Sequence, residues 1–147
     1  FGIRAGAKKP DISTPEAVKK TLLAAKSITY VPDGASKVHI EKMLDDLGIA
    51  NDMKQKTVFA KGADEATRTA AEGKVELVLT LISEIVPTPG LDLIGPFPAK
   101  YQNYVSFAAG ISPKTKNVEA AKALIQFLTS PNASPTFKAK GMERISK

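Results

Sequence analysis

The segment Ile28–Leu44 carries the residue types best suited to binding chemistry. Pro32, Asp33 and Gly34 form a turn signal, because Pro fixes φ and Gly permits positive φ. The turn separates a short β-branched and aromatic run, Ser27–Val31, from apolar residues at helical spacing. Those apolar residues are Ile40, Met43, Leu44 and Leu47. A helix start after a tight turn presents unpaired backbone N–H groups and a partial positive charge. The pattern predicts an anion-binding turn, with an ordinary βα connection as the alternative.

The ends of this predicted helix are also marked. Ser36 follows the turn directly, where a serine hydroxyl is suited to cap the first helical turn. Gly48 ends the apolar periodicity, and Ile49 is placed for the hydrophobic contact of a C-terminal cap. We therefore predict a helix between Ser36 and Gly48.

His39 and Glu84 are the candidates for acid–base chemistry. His39 is the only histidine of the 147 residues and lies one turn into the predicted helix. Proton abstraction from a bound carboxylic acid would use a His or a Glu as the base, so Glu84 is considered as the partner of His39. The alternative is that His39 packs or faces solvent beside Ile40. The sequence contains no Ser-His-Asp spacing, nucleotide-phosphate loop or metal-ligand cluster, so we expect neither a cofactor nor a metal ion.

Composition excludes several classes of protein. Cys is absent, which excludes disulfides, thiol nucleophiles and thiolate metal sites. Hydrophobic residues make up 43% of the chain, enough to build a core, and no apolar run is long enough to cross a bilayer. The net charge is +6, but the lysines are spread along the chain and Trp is absent. This distribution favours a solvated surface over a nucleic-acid partner.

Predicted strands alternate with predicted helices along the chain. Apolar, β-branched or aromatic runs predict strands at 1–7, 27–31, 57–60, 75–82, 91–94 and 104–111. Helix starts are predicted at Thr14, Ser36, Asp64, Asn117 and Ser130. The last helical piece is expected to be interrupted at Pro135 and to end at Gly141. The nearly continuous run 75–82 predicts a central strand covered on both faces. The alternation predicts an α/β fold with mostly parallel strands.

Several motifs, in this order along the chain, carry a resemblance to a known family. They are Ile12-Ser-Thr-Pro-Glu-Ala17, Gly34-Ala-Ser36, Leu47-Gly-Ile49, Ile82-Ser-Glu-Ile-Val-Pro-Thr-Pro-Gly90, Ile94-Gly-Pro96, Ala120-Ala-Lys-Ala-Leu-Ile-Gln-Phe-Leu-Thr-Ser-Pro131 and Lys138-Ala-Lys-Gly-Met-Glu143. Together they resemble the bacterial extracellular solute-binding proteins of the molybdate-binding type, the periplasmic component of ABC transporters. The resemblance covers nearly the whole chain and is specific for the family, but not for the ligand.

The resemblance implies a periplasmic-binding-protein type II-like α/β fold. Such proteins have two lobes joined by two crossing strands, with the ligand in the cleft between them. Residues 1–7 match the first crossing (hinge) strand, and 8–103 match a complete second lobe with a mixed, mostly parallel sheet flanked by helices. Residues 104–147 match the return crossing strand and the C-terminal helices that pack toward the first lobe. We expect the N-terminal part of that first lobe to lie outside this sequence, which begins with Phe1 rather than Met.

The resemblance assigns a first group of ligand contacts to the turn described above. Family members that bind oxyanions use backbone N–H groups at a helix start, which map to Ala35 and Ser36, next to Gly34. Relatives commonly have Gly where this chain has Lys37, and the helix dipole disfavours a cation there. A bound polyanion would offset that cost, so one hypothesis is that Lys37 contacts a larger carboxylate-type ligand. The alternatives are that Ser36 only caps its helix and that the Lys37 side chain extends into solvent.

A second group of contacts is implied further along the chain. Thr80 matches the end of a strand near the cleft, and Tyr104 matches a tyrosine hydroxyl at the return crossing. Ser83 and Glu84 begin the next turn and are expected at the rim. The alternatives are that Tyr104 packs in the hinge and that Glu84 is solvated.

The function implied is that of a binding protein rather than an enzyme. It would capture a small anion, either an oxyanion or an organic carboxylate, for an ABC-type uptake system in the periplasm or extracellular space of a bacterium. Closure of the lobes around the ligand would exclude water and strengthen contacts to its charge, and a membrane permease would recognise the closed form. The alternative is an isomerase acting on a small polycarboxylic acid on the same scaffold, with His39 or Glu84 as the base.

Overall fold

A computed structural model describes residues 1–144 of the chain, which form two compact units. The first unit is Phe1–Asn103, and the second begins at Tyr104. Within the described part, no helix combines the length and the apolar sequence that a membrane crossing requires.

A five-stranded mixed sheet forms the centre of the first unit. Its strands are β1 (Gly2–Arg4), β2 (Ile28–Tyr30), β3 (Thr57–Phe59), β4 (Leu77–Val78) and β5 (Leu91–Leu93). They lie in the order β3-β2-β4-β1-β5. β2 pairs in parallel with β3 and β4, whereas β1 pairs antiparallel with β4 and β5. The predicted α/β fold with a mixed sheet is confirmed. Both pairings on the β3 side are parallel, whereas both pairings of β1 are antiparallel, because β1 runs in the opposite direction.

The central strand β4 is shorter than the sequence predicts. Of the run 75–82, only Leu77–Val78 pairs as a strand, although the Leu79 N–H still donates to the Thr29 carbonyl at 2.9 Å. A helix starts at Ile82, so the last residue of the run forms helical rather than strand hydrogen bonds. Leu77, Val78 and Leu79 are all buried, so the expected coverage of both faces is confirmed.

Five helices pack around the sheet through two core clusters. They are α1 (Pro15–Ala24), α2 (Lys37–Asp46), α3 (Ala50–Lys54), α4 (Ala63–Ala71) and α5 (Ile82–Ile85). The larger cluster joins buried side chains of α1, α2 and α3 to Leu77, and the smaller one joins α4 and α5 to Val78. Because neighbouring strand residues point to opposite faces, the two clusters cover the two faces of β4.

The predicted helix ends explain where α1 begins and α2 stops. Thr14 has an extended backbone, and its hydroxyl accepts a hydrogen bond from the Ala17 N–H at 3.1 Å. At the other end of α2, Gly48 has a φ of +67°, and its N–H donates to the Asp45 carbonyl at 2.9 Å. The Ile49 N–H donates to the Leu44 carbonyl at 3.0 Å. These two bonds form the predicted glycine C-terminal cap of α2.

The second unit is helical where it has regular structure. It contains α6 (Val118–Thr129), a 3₁₀ turn at Pro131–Ala133 and α7 (Ser134–Ala139). Asn117 occupies the N-cap position of α6 without a side-chain hydrogen bond. Pro135 lies in the first turn of α7 rather than interrupting a helix, since Pro is tolerated where no intrahelical N–H bond is needed.

The predicted strand at 104–111 is wrong. The structure assigns no strand to these residues, and most of them are exposed, including Tyr104 and Phe107. A strand needs a neighbouring strand to complete its hydrogen bonds, and the described residues place none beside this segment. The run has the composition of a strand, but no strand among residues 1–144 pairs with it.

Candidate functional site

A cavity of about 190 Å³ lies beside the start of α2 in the first unit. Its lining comes from the turn before α2, the start of α4 and the segment between β4 and α5. The lining residues are Val31, Gly34, Ala35, Ser36, Ala63, Thr80, Leu81 and Glu84. The structure therefore brings Gly34, Ala35, Ser36 and Thr80 together at one cavity, and their role as ligand contacts stays a prediction. The volume is below the roughly 300–1,000 Å³ of sites for drug-sized molecules, so it suits a small ligand.

The turn before α2 is tight and leaves backbone donors unpaired. The Gly34 N–H donates to the Val31 carbonyl at 3.1 Å, and the Lys37 N–H donates to the Gly34 carbonyl at 3.1 Å. A Cβ at Gly34 would lie 3.0 Å from Val31 Cβ, so a larger residue would force this turn to shift. The N–H groups of Ala35 and Ser36 have no acceptor among the described residues. They add hydrogen-bond donors to the positive end of a ten-residue helix.

Ser36 occupies the N-cap position of α2, but its hydroxyl does not cap the helix. Its backbone is helical, with φ −83° and ψ −17°, and no side-chain capping hydrogen bond forms. A capping side chain reaches the first turn from an extended backbone, which Thr14 has and Ser36 lacks. The predicted capping hydrogen bond is therefore wrong, and the hydroxyl remains at the cavity wall.

Thr80 and Glu84 form a hydrogen-bonded pair in another part of the cavity lining. Thr80 lies two residues after β4, and Glu84 lies on α5. The Thr80 hydroxyl donates to the Glu84 carboxylate. Glu84, expected only at the rim, is thus part of the wall. Its spacing from Thr80 is the signal in the sequence that indicates this position.

Ser83 lies at a different cavity. It lines a larger one of about 690 Å³, between α4 and the turn after α5, together with Arg68 and Glu72. The hydrogen bond from Lys74, with its charge, lowers the pKa of the Glu72 carboxyl, and the two groups form an exposed ion pair at 2.7 Å. Glu84 lines both cavities, whereas Ser83 lines only the larger one. A ligand contact of Ser83 stays a prediction.

Lys37 is engaged outside the small cavity. Its Nζ lies 3.8 Å from Oε2 of Glu41, one turn along the same helix. Burial, and then the Glu41 charge, raise the pKa of Tyr30, whose hydroxyl lies 3.5 Å from Oε1 of Glu41. Lys37 is not among the lining residues of the cavity. Its contact with a larger ligand stays a prediction, and the structure gives its ammonium another partner.

The structure does not pair His39 with Glu84. Nε2 of His39 lies 2.6 Å from the side-chain amide nitrogen of Asn103, and His39 lines neither cavity. The Glu84 carboxylate is hydrogen-bonded to Thr80 instead. His39 is the third residue of α2, and the first turn of this helix holds it outside both linings.

Tyr104 begins the second unit and is 79% exposed. Its assignment as a ligand contact stays a prediction. Ala63, Val31 and Leu81 complete the cavity lining. Nothing in the sequence pattern indicates them, because they are apolar residues brought in by the turn after β2, the start of α4 and the segment before α5. Within residues 1–144, no cluster of three or more His, Asp or Glu side chains is arranged to hold a metal ion.

Comparison with known proteins gives a family-level match over almost the whole chain. The sequence profile described as bacterial extracellular solute-binding protein matches residues 1–143. An aconitate isomerase from Pseudomonas sp. is 31% identical over 149 aligned positions, which cover 99% of this chain and 55% of that protein. The chain therefore spans about half the length of this curated relative.

Two solved structures resemble the fold. A substrate-binding domain assigned to a molybdenum ABC transporter from Clostridium difficile superimposes with a TM-score of 0.73 at 19% identity, over 99% of this chain and 62% of that one. The periplasmic molybdate-binding protein of Azotobacter vinelandii gives a TM-score of 0.72 at 20% identity, over 95% of this chain and 62% of that one. At such low identity, these similarities show the fold alone.

Proposed function

The chain belongs to the bacterial extracellular solute-binding proteins, and from that premise we propose that it captures a small anion in the 190 Å³ cavity beside α2. The observation that carries the proposal is the pair of unsatisfied N–H groups of Ala35 and Ser36, which lie at the wall of this cavity. Thr80 belongs to the same lining. Backbone donors at a helix start bind anions without requiring a basic side chain.

The wider setting of this binding is also proposed. The matched relatives are longer than this chain, which covers 55–62% of them. We infer that a further lobe completes the site and that closure of the two lobes removes water from the anion. The α6 helix has no buried residue, and its Leu124 and Phe127 are more than half exposed, which supports packing against such a lobe. The complete protein would act in the periplasm and deliver its ligand to an ABC permease.

A thermal-shift panel on the chain tests anion binding. The panel compares molybdate and sulfate with dicarboxylates and tricarboxylates, with sodium chloride as the control for ionic strength. A ligand at 100 times its dissociation constant adds about 2.7 kcal/mol to the free energy of unfolding, which raises Tm by several degrees. A rise with one class of anion supports the proposal and identifies the ligand chemistry. If no anion raises Tm beyond the chloride control, this cavity does not bind anions.

An isomerase acting on a small polycarboxylic acid is the second candidate. The similarity to an aconitate isomerase favours it, and so does the Glu84 carboxylate at the cavity wall. Such a base would remove a proton from one carbon of the acid and return it to another. Incubation with cis- and trans-aconitate in D₂O, followed by NMR, tests this function. Interconversion that is lost in Glu84→Gln and kept in His39→Ala supports it, whereas the absence of both interconversion and deuterium exchange contradicts it.

A further inference from the structure

We propose that Glu84 makes the small cavity selective for acids that also carry a hydrogen-bond donor, such as a hydroxyl group. The inference rests on the proposed function, because it names the class of anion that the same cavity takes. It is carried by the Thr80–Glu84 pair and by the unequal distribution of donors and acceptors around the cavity.

The Thr80–Glu84 side of the cavity offers acceptors. The Thr80 hydroxyl hydrogen is already donated to the Glu84 carboxylate. Thr80 therefore has only oxygen lone pairs left for a ligand, and a carboxylate only accepts. The neighbouring wall residues Ala63 and Leu81 contribute apolar side chains. A ligand oxygen without a hydrogen finds no side-chain donor on this side.

The α2 side of the same cavity offers donors. The N–H groups of Ala35 and Ser36 lack acceptors among residues 1–144, and no hydrogen bond engages the Ser36 hydroxyl there. A ligand that satisfies both groups must accept hydrogen bonds from the N–H groups of Ala35 and Ser36 and donate a hydrogen bond to Glu84. A hydroxy acid meets both conditions.

A fully ionised oxyanion meets only one of them. Its oxygens all accept, so those that face Glu84 would be unpaired and close to a like charge, which disfavours binding. No lysine or arginine lines the cavity, and the nearest lysine in sequence, Lys37, is paired with Glu41. A ligand hydroxyl that donates to Glu84 instead makes a charge-assisted hydrogen bond.

Isothermal titration calorimetry on the full chain with succinate and malate tests the inference. The two dicarboxylates differ by one hydroxyl group, so their ratio of dissociation constants isolates the donor. We expect malate to bind about tenfold more tightly than succinate, as one charge-assisted hydrogen bond supplies. In Glu84→Gln, we expect succinate to bind more tightly than in the wild type and the preference for malate to fall to about threefold or less, since the charge is gone.

Glu72→Gln is the matched control. It removes one carboxylate from the larger cavity and leaves the small one unchanged, so the preference for malate should persist. Equal affinities for succinate and malate in the wild type, or an unchanged preference in Glu84→Gln, would overturn the inference and leave anion capture standing. Failure of succinate, malate and molybdate alike to bind would overturn the proposed function, and the inference with it.

Discussion

Thr14 and Ser36 occupy the same position relative to their helices, but their hydroxyl groups have different partners. Thr14 accepts a hydrogen bond from the first turn of α1, whereas Ser36 makes no such bond to α2. Removing a capping side chain costs about 1 kcal/mol of stability. We therefore expect Thr14→Ala to lower the free energy of unfolding by about that amount and Ser36→Ala to change it by only a few tenths of a kcal/mol.

Urea denaturation of both variants, with the wild type alongside, measures this difference. Equal losses in the two variants would show that Ser36 caps its helix in solution. The comparison bears on function as well, because a serine that does not cap its helix is available to a ligand.

The residues of the cavity were predictable in part. Turn chemistry at Gly34, followed by a helix start, is a local signal, and Ala35 and Ser36 of this turn belong to the cavity lining. Glu84 reaches the same cavity because only residues 79–81 separate the short β4 from α5, and the nearly continuous apolar run 75–82 hides that boundary. Lys37 is a different case, and its contact with a ligand stays a prediction. Its charge suggests a ligand contact, but a glutamate one turn away lies 3.8 Å from its Nζ.

At the scale of elements, α2 depends on its buried face. Ile40 is fully buried in the larger core cluster, and Val38, two residues earlier on the same helix, is 67% exposed. Truncating a buried Ile to Ala costs about 2–5 kcal/mol, from lost transfer free energy and a cavity. Ile40→Ala should therefore destabilise the protein by that amount.

Val38→Ala provides the matched control. Because its side chain is exposed and Ala favours the helix, we expect a change within about 0.5 kcal/mol of zero. Thermal or urea unfolding, monitored by circular dichroism, measures both variants. A loss in Val38→Ala as large as in Ile40→Ala would contradict the described packing of α2.

Helix ends were predictable from the sequence where residues close to them in the chain determine them. Thr14-Pro15 begins α1, and Gly48 ends α2, because caps and breakers act within a few residues. Strands depend on partners distant in sequence. The strands β1 to β5 all lie within predicted runs, but one further predicted strand is wrong. The run 104–111 has strand composition, yet it pairs with no strand among the described residues. The antiparallel placement of β1 also follows from tertiary pairing rather than from its own sequence.

At the scale of the whole molecule, the family and fold were the most predictable features. The resemblance identified from short motifs such as Ile82–Gly90 agrees with the profile match over residues 1–143. The identity of the ligand is less predictable than the fold, since proteins with related folds have different functions. One similar protein is an aconitate isomerase, and the two similar structures are a periplasmic molybdate-binding protein and the substrate-binding domain assigned to a molybdenum ABC transporter. Titration with both an oxyanion and a carboxylate is therefore needed to test which of them is the proposed ligand.

The most direct test of anion capture locates the ligand on the ¹⁵N-labelled chain by NMR. Molybdate or malate is titrated in, with sodium chloride at equal ionic strength as the control. We predict that the Ala35 and Ser36 amide signals move most, in a saturable way, because their N–H groups donate to the anion. If the largest shifts occur around Arg68 in the larger cavity, or if these two amides stay at their chloride positions, anion capture at the start of α2 is contradicted.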